Sequence, residues 1–313
     1  MADGAALSRG CRGLRPFADP SGLACLYLLD GWDGLHGRDG EPWCGGDPTR
    51  VAAVEAVKAE GLTRSYGGHV VVDGVDLDVR RGQILGFVGP NGAGKTTTWS
   101  MLTGLVEPTK GSVRLLGRPL DINDTELKQQ LGIVPDHSDL FESLTGEELL
   151  LSYARIYGLD RGDAGQRTDE ALAVFDLEGA AKRPITTYSH GMKKKIRLAA
   201  ATLHGPRALF LDEPFEGMDA LSARTVISIL QQMAEQNGTA VFLTSHMLDY
   251  VERVSTHLAV IKSGKILLSC SQAEFRELPA IKGEDGAGRL ESLILSLSAR
   301  ERFSGLSWIG GRA

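Results

Sequence analysis

From residue 54 the pattern of apolar and polar positions turns to strands, at 54–58, at Val70-Val71-Val72 and at 75–79, the last with apolar and polar residues alternating. Gly67-Gly68 and Asp73-Gly74 supply turn residues between these runs, so the pattern predicts a small antiparallel sheet. The period then changes. Ile84-Leu85-Gly86-Phe87-Val88 is continuously apolar, as a strand covered on both faces requires, and residues 96–105 read as a helix. Further strands are predicted at 111–117 and 131–135. Between 144 and 177 the spacing is helical, with Leu149, Leu150, Tyr153, Ile156 and Tyr157 on one face and Ala171, Leu172, Val174 and Phe175 on another. Short apolar runs return at 208–211 and 239–243, the kind found in parallel strands. These periods predict an α/β core, an antiparallel β subdomain laid before it and a helical subdomain inserted into it.

Residues 1–50 break from this pattern. They hold ten of the 39 glycines and three of the four cysteines, Cys11, Cys25 and Cys44, but no Val, Ile, Lys, Asn or Gln. Without β-branched aliphatics or any period they have little with which to build a core, so they read as a disordered or weakly ordered leader. The apolar stretch at 23–29 is too short, and too closely flanked by acids, for a secretory signal, and no run approaches the ~20 residues of a membrane-spanning helix. The cysteines, with Cys270, form neither a C-x-x-C site nor a dense disulfide framework, which fits a reducing, cytosolic compartment. Lys and Arg number 34 against 40 Asp and Glu, a net charge of −6 that argues against nucleic acid as the main partner.

Chemistry concentrates after the first buried run. Gly89-Pro90-Asn91-Gly92-Ala93-Gly94-Lys95-Thr96-Thr97 fits G-x-x-x-x-G-K-[ST] between a strand and a helix. Glycines let the backbone turn its N–H groups inward, and the helix N-terminus adds partial positive charge, so residues 89 and 91–97 form a cradle for a triphosphate. Lys95 would reach the outer phosphates and Thr96 would offer its hydroxyl to Mg²⁺. Downstream, Leu209-Phe210-Leu211-Asp212-Glu213-Pro214 puts two carboxylates at the end of a buried strand, where open α/β sheets place ligand chemistry. Asp212 suits Mg²⁺ through its water shell, and Glu213 suits the orientation and deprotonation of an attacking water. Tyr66 stands where a ring could stack on a nucleotide base, with ordinary packing in the strand as the alternative.

With Ser189-His190-Gly191-Met192 lying shortly before that acid pair, the chain resembles the ATP-binding subunit of ABC transporters over about residues 55–270. The resemblance implies a P-loop NTPase fold with a RecA-like core, an ATPase domain over 51–280, a helical subdomain at about 137–195 and a short C-terminal extension at 281–313. In that family an L-S-G-G-Q signature opens a helix that faces the γ-phosphate held by the opposite subunit. Here Ser189 and Gly191 match, while Tyr188, His190 and Met192 depart, and Ser189 can still cap the following helix. By the same resemblance His246 is the switch histidine, and Asp219, in Glu216-Gly217-Met218-Asp219, belongs to the loop that couples two subunits. Asp136 stands where the family usually has a glutamine that touches Mg²⁺ and the membrane partner, and its carboxylate can only accept. Lys193-Lys194-Lys195 reads as a solvated helix face.

The expected function is an ATP- and Mg²⁺-dependent ATPase subunit that clamps two ATP molecules in a homodimer, or in a heterodimer with a related subunit. It would power export through an integral membrane permease subunit at the cytoplasmic face of the cell membrane. The exporter branch is suggested by 188–193 and by the segment after Lys282, where Leu290, Leu293, Leu295 and Leu297 could form an amphipathic element or simply pack on the core. The rival readings are a soluble ABC ATPase acting on nucleic acid or ribosomes, which usually shows a coiled coil or basic surface, and a nucleotide-binding regulatory module. The leader yields its own test. The natural chain is expected to begin at or near Val51, an alternative bacterial initiator, so the intact mass of protein from its native host should lack residues 1–50.

Overall fold

A computed structural model describes residues 55–136, 142–277 and 289–298. The predicted leader, the start at Val51, Cys11, Cys25 and Cys44, and most of the extension after residue 281 lie outside the described residues, as do the side chains of Leu295 and Leu297.

The described residues open with a long hairpin, β1 (Glu55–Tyr66) and β2 (His69–Arg80), turned by Gly67 and Gly68, both at positive φ. The alternation had suggested three short strands, but the two valine runs belong to one. Asp73-Gly74 is an irregularity inside β2 rather than a turn, because Asp73 donates its N–H to the Gly264 carbonyl (3.0 Å) and Gly74 to Thr63 Oγ1 (3.1 Å). There follow β3 (Ile84–Val88), α1 (Lys95–Leu102), β4 (Lys110–Leu115), β5 (Arg118–Pro119), α2 (Thr125–Lys128) and β6 (Leu131–Val134). Helix α1 stops three residues short of its predicted end, where Thr103 Oγ1 bonds the Trp99 carbonyl and Gly104 turns to φ 77°. The remaining elements are α3 (Gly146–Ile156), α4 (Arg161–Val174), α5 (His190–Thr202), β7 (Ala208–Asp212), α6 (Ala220–Asn237) and β8 (Ala240–Ser245), then α7 (Leu248–Val254), β9 (His257–Lys262), β10 (Lys265–Ser271), α8 (Gln272–Glu277) and α9 (Arg289–Ser298).

Two sheets result. The antiparallel one runs β2-β1-β4-β5, and the other runs β10-β9-β3-β8-β7-β6, parallel except for β10 on its edge. The parallel strands are apolar without interruption because their successive side chains enter different cores. Leu85, Phe87, Phe210, Phe242 and Ile261 face the antiparallel sheet and α1, whereas Ile84, Val88, Leu211, Leu243 and Val260 face the helical side. The Phe87, Phe210 and Phe242 rings meet in adjacent strands, and truncating a fully buried phenylalanine such as Phe210 to alanine costs ~3–5 kcal/mol.

Helices α3 and α4 fall within residues 144–177. Thr145 and Glu148 form a reciprocal capping box at the start of α3, and the Asp160 carboxylate caps α4. Two residues assigned to its apolar faces are exposed: Ile156 (68%) and Val174 (52%) lie at the ends of their helices and point outward, while Leu149, Leu150, Leu172 and Phe175 are buried. Between this segment and the core, the His204 imidazole stacks on Tyr157 with ring centroids 3.7 Å apart, and its Nε2 bonds the Leu131 carbonyl at 3.1 Å. Burial holds its pKa down to about 4, and its Nδ1, which would take the second proton, has no hydrogen-bond partner.

The sign follows from linkage: between pH ~6.5 and ~4 the unfolded chain binds a proton at this site that the folded chain refuses. Stability should therefore be intact above pH ~6.5 and fall as the pH drops through that window. Urea unfolding at several pH values should show a shallower loss in His204→Phe, which keeps the stacking but cannot titrate.

Candidate active site

Strand order and register assemble the site. Strands β3, β8, β7 and β6 lie side by side in parallel, with Val88 opposite Ser245, Asp212 opposite Thr244 and Val134 opposite Leu211. The loops that follow them all leave one edge, the carboxyl edge, where such sheets bind ligands. That edge gathers residues 89–97, Asp136, Asp212-Glu213 and His246, which are up to 157 positions apart in the chain (246 minus 89).

The loop from Gly89 to Gly94 is built for close approach. Gly94 sits at φ 107°, with space for a Cβ closed off by the Val71 carbonyl (3.0 Å) and Val72, and a Cβ on Gly89 would drive into the Ile261 carbonyl. Ala93 donates its N–H to the Pro90 carbonyl at 3.1 Å, and its own carbonyl accepts from Gly264 at 2.9 Å, which locks the loop to the turn after β9. Lys95 is buried, and its Nζ donates to the Gly89 carbonyl at 2.9 Å and the Pro90 carbonyl at 3.4 Å, so the ammonium is folded back over the loop. Burial pushes its pKa down, and the nearby Glu213 and Asp212 carboxylates push it up.

Asp212 ends β7 fully buried and accepts from the Thr244 hydroxyl on the adjacent strand. Burial raises its pKa, while hydrogen bonds from Thr244 and from Thr96 at the start of α1 favour the carboxylate. Glu213 adopts φ 49°, the left-handed region that side chains avoid at a cost of ~1–3 kcal/mol. Its N–H is held by Thr244, at 3.1 Å to the carbonyl and 3.2 Å to Oγ1. Its Oε2 receives the His246 backbone N–H at 3.0 Å and meets His246 Nδ1 at 2.9 Å, leaving half of the His246 side chain exposed. The twist at Glu213 thus turns a mostly buried carboxylate toward the next strand's end.

The other predicted residues are placed as follows. Ser189 caps α5 by accepting from Met192 N–H at 3.3 Å, Gly191 approaches the Gly217 carbonyl, and the His190 ring packs over Gly217. Asp219 caps α6 through the Leu221 and Ser222 N–H groups and the Ser222 hydroxyl, bonds that hold its pKa down to about 2. Tyr66 is exposed at the hairpin end with the Arg64 guanidinium 4.5 Å over its ring. The reading of Lys193-Lys194-Lys195 as a solvated face does not hold. Lys193 pairs with Glu142 and Lys195 with Asp176, and Lys194 is 2% exposed, inserted between the loops after β6 and β7. Two contributors were missed: Thr244, which bonds both acids, and Lys194. Thr244 left a faint signal as a polar residue ending an apolar run, whereas the lysine run resembled surface because its acceptors are remote in sequence.

A model of the family described as ABC transporter matches residues 72–216. The linearmycin resistance ATP-binding protein LnrL of Bacillus subtilis (strain 168) is 36% identical over 211 residues, 67% of this chain and 68% of the relative. This chain belongs to the ABC transporter ATP-binding family. The bacitracin transport ATP-binding protein BcrA of Bacillus licheniformis is 35% identical over 67% of this chain and 68% of its own. The daunorubicin/doxorubicin resistance ATP-binding protein DrrA of Streptomyces peucetius is 34% identical over 73% and 68%. A solved ATP-binding subunit of an ABC transporter superposes with a TM-score of 0.69 at 28% identity, covering 78% of this chain and 99% of that one. The chain is accordingly an ATP-binding and ATP-hydrolysing subunit of an ABC transporter.

The loop geometry separates two glycines. Gly89→Ala places a methyl group against the Ile261 carbonyl, whereas Gly92→Ala meets nothing within 4 Å and suffers only left-handed backbone strain of ~1–2 kcal/mol. Thermal denaturation should show the larger loss in Gly89→Ala, accompanied by weaker ATP binding in calorimetry.

Proposed function

We propose that the chain works as half of a two-chain motor, with itself or with a related subunit, that drives export through a separate membrane permease at the cytoplasmic face of the membrane. Among the described residues no helix is long and apolar enough to cross a membrane, so the transport path is assigned to a partner. Relatives named for antibiotic resistance and transport support export, and the net charge of −6 weighs against action on nucleic acid or ribosomes. The observation that carries the hydrolytic reading is the Glu213 carboxylate held by His246 at the sheet edge that also carries Lys95.

In this reading the N–H groups of residues 89–97 cradle the phosphates, and Lys95 leaves its loop carbonyls to neutralise the outer ones. Glu213 orients the attacking water and accepts its proton, and His246 holds that carboxylate in place and presents its ring toward the γ-phosphate. Ser189 and Gly191 at the start of α5 meet the ATP bound by the other chain, and Asp219 shapes the loop between the two sites. Tyr66 stacks on the base with the ring face that Arg64 leaves open.

The donor set fits Mg²⁺. Thr96 and Asp212 present hard oxygen atoms already in contact with each other, with Asp136 on the neighbouring loop. Among the described residues no three His, Cys, Asp or Glu side chains form a metal cage, which agrees with an ion shared with phosphates and water. Bound there, Mg²⁺ would neutralise charge on the phosphate oxygens.

Glu213→Gln should keep ATP affinity within about twofold and lower phosphate release by at least ~100-fold, measured by calorimetry and steady-state assay. Lys95→Ala should instead lose nucleotide affinity. Wild-type turnover in Glu213→Gln would remove the assignment.

A further inference from the structure

The lysine run contains a group that the mechanism so far leaves unused. Lys194 sits on the second turn of α5 and is as buried as a core phenylalanine. Its Nζ donates to the Glu213 carbonyl at 2.6 Å and to Asp136 Oδ1 at 2.9 Å, with Glu216 Oε2 at 3.8 Å. An ammonium has three donors and tolerates burial only when they are matched by acceptors of opposite charge or strong dipole. Here the acceptors come from two loops, those after β6 and β7, and the donor comes from the helix that Ser189 opens.

We propose that Lys194 is a positioning residue for hydrolysis, fixing the peptide of Glu213 and the Asp136 loop from the signature helix; this rests on Glu213 being the general base. Glu213 occupies a left-handed backbone that surroundings must enforce, and three restraints do so. Thr244 holds its N–H, His246 holds its carboxylate, and Lys194 holds its carbonyl. The third is charge-assisted and shorter than an ordinary N–H···O hydrogen bond. The same ammonium neutralises Asp136, the residue that adds negative charge where the family has a neutral amide. Because Lys194 is three residues past Gly191, the helix that Ser189 opens is bonded directly to the Glu213 peptide of its own chain.

The test uses the purified full chain with ATP and Mg²⁺. Lys194→Met keeps the stem and removes the charge. It should lower kcat by about 10- to 100-fold, while KM for ATP and the Kd for Mg-ADP stay within about twofold. Lys194→Arg should recover part of kcat, since a guanidinium can still donate to both loops. If Lys194→Met folds poorly because Asp136 loses its ammonium partner, the same substitution is read against Asp136→Asn as the reference. Lys194→Met/Asp136→Asn should then still fall about tenfold below Asp136→Asn alone, because the Glu213 carbonyl remains without its donor. A kcat for Lys194→Met within threefold of wild type, or a double variant equal to Asp136→Asn, overturns the inference. Glu213→Gln, measured in parallel, tells the two readings apart. If it is inactive while Lys194→Met is normal, only the role of Lys194 fails; if it turns over normally, the assignment of Glu213 fails and this role with it.

Discussion

The lateral register of three parallel strands is the constraint on which the rest depends. Because β3, β8 and β7 are neighbours, with Val88 opposite Ser245 and Asp212 opposite Thr244, three loops distant in sequence emerge at one level. A slip of one residue between β7 and β8 would turn Asp212 to the other face and drop Glu213 out of reach of His246, and a slip between β3 and β8 would shift His246 against residues 89–97. The register is secured by side chains rather than by the loops. Alternate residues of each strand fill two separate cores, so no strand can shift without putting phenylalanines where leucines belong.

That edge also concentrates charge. Lys95, Asp212, Glu213 and Lys194 are all buried, yet each is supplied with partners before any ligand arrives. The arrangement differs between the two lysines in a functionally meaningful way. Lys95 is satisfied by the carbonyls of its own loop, contacts that a phosphate can replace. Lys194 is satisfied by the Asp136 carboxylate and by the backbone carbonyl of Glu213, contacts that hold a shape. Movable bonds suit ligand exchange, and fixed ones suit preorganisation.

Much of the fold was readable because burial writes itself into the sequence. The continuous apolar runs at 84–88, 208–211 and 239–243 became central strands, and the helical period after residue 144 became α3 and α4. The failures have specific causes. Asp73-Gly74 looked like a turn because these residues favour turns locally, but their N–H bonds to the Gly264 carbonyl and the Thr63 hydroxyl keep the strand running through them. Ile156 and Val174 fit an apolar face by spacing, yet each points outward at the end of its helix while the next residue, Tyr157 or Phe175, makes the packing contact.

The sequence alone pointed to the candidate groups, namely the glycine-rich loop with Lys95 and Thr96, the acid pair Asp212-Glu213, and His246 after a strand, because each lies within a short motif of consecutive residues. Tertiary structure decided what supports them. Thr244 bridging both acids, the left-handed turn at Glu213 and the burial of Lys194 all depend on partners 19 to 58 residues away. No local spacing encodes such pairs, because the cost of burying a charge is met only by acceptors that the completed sheet brings together.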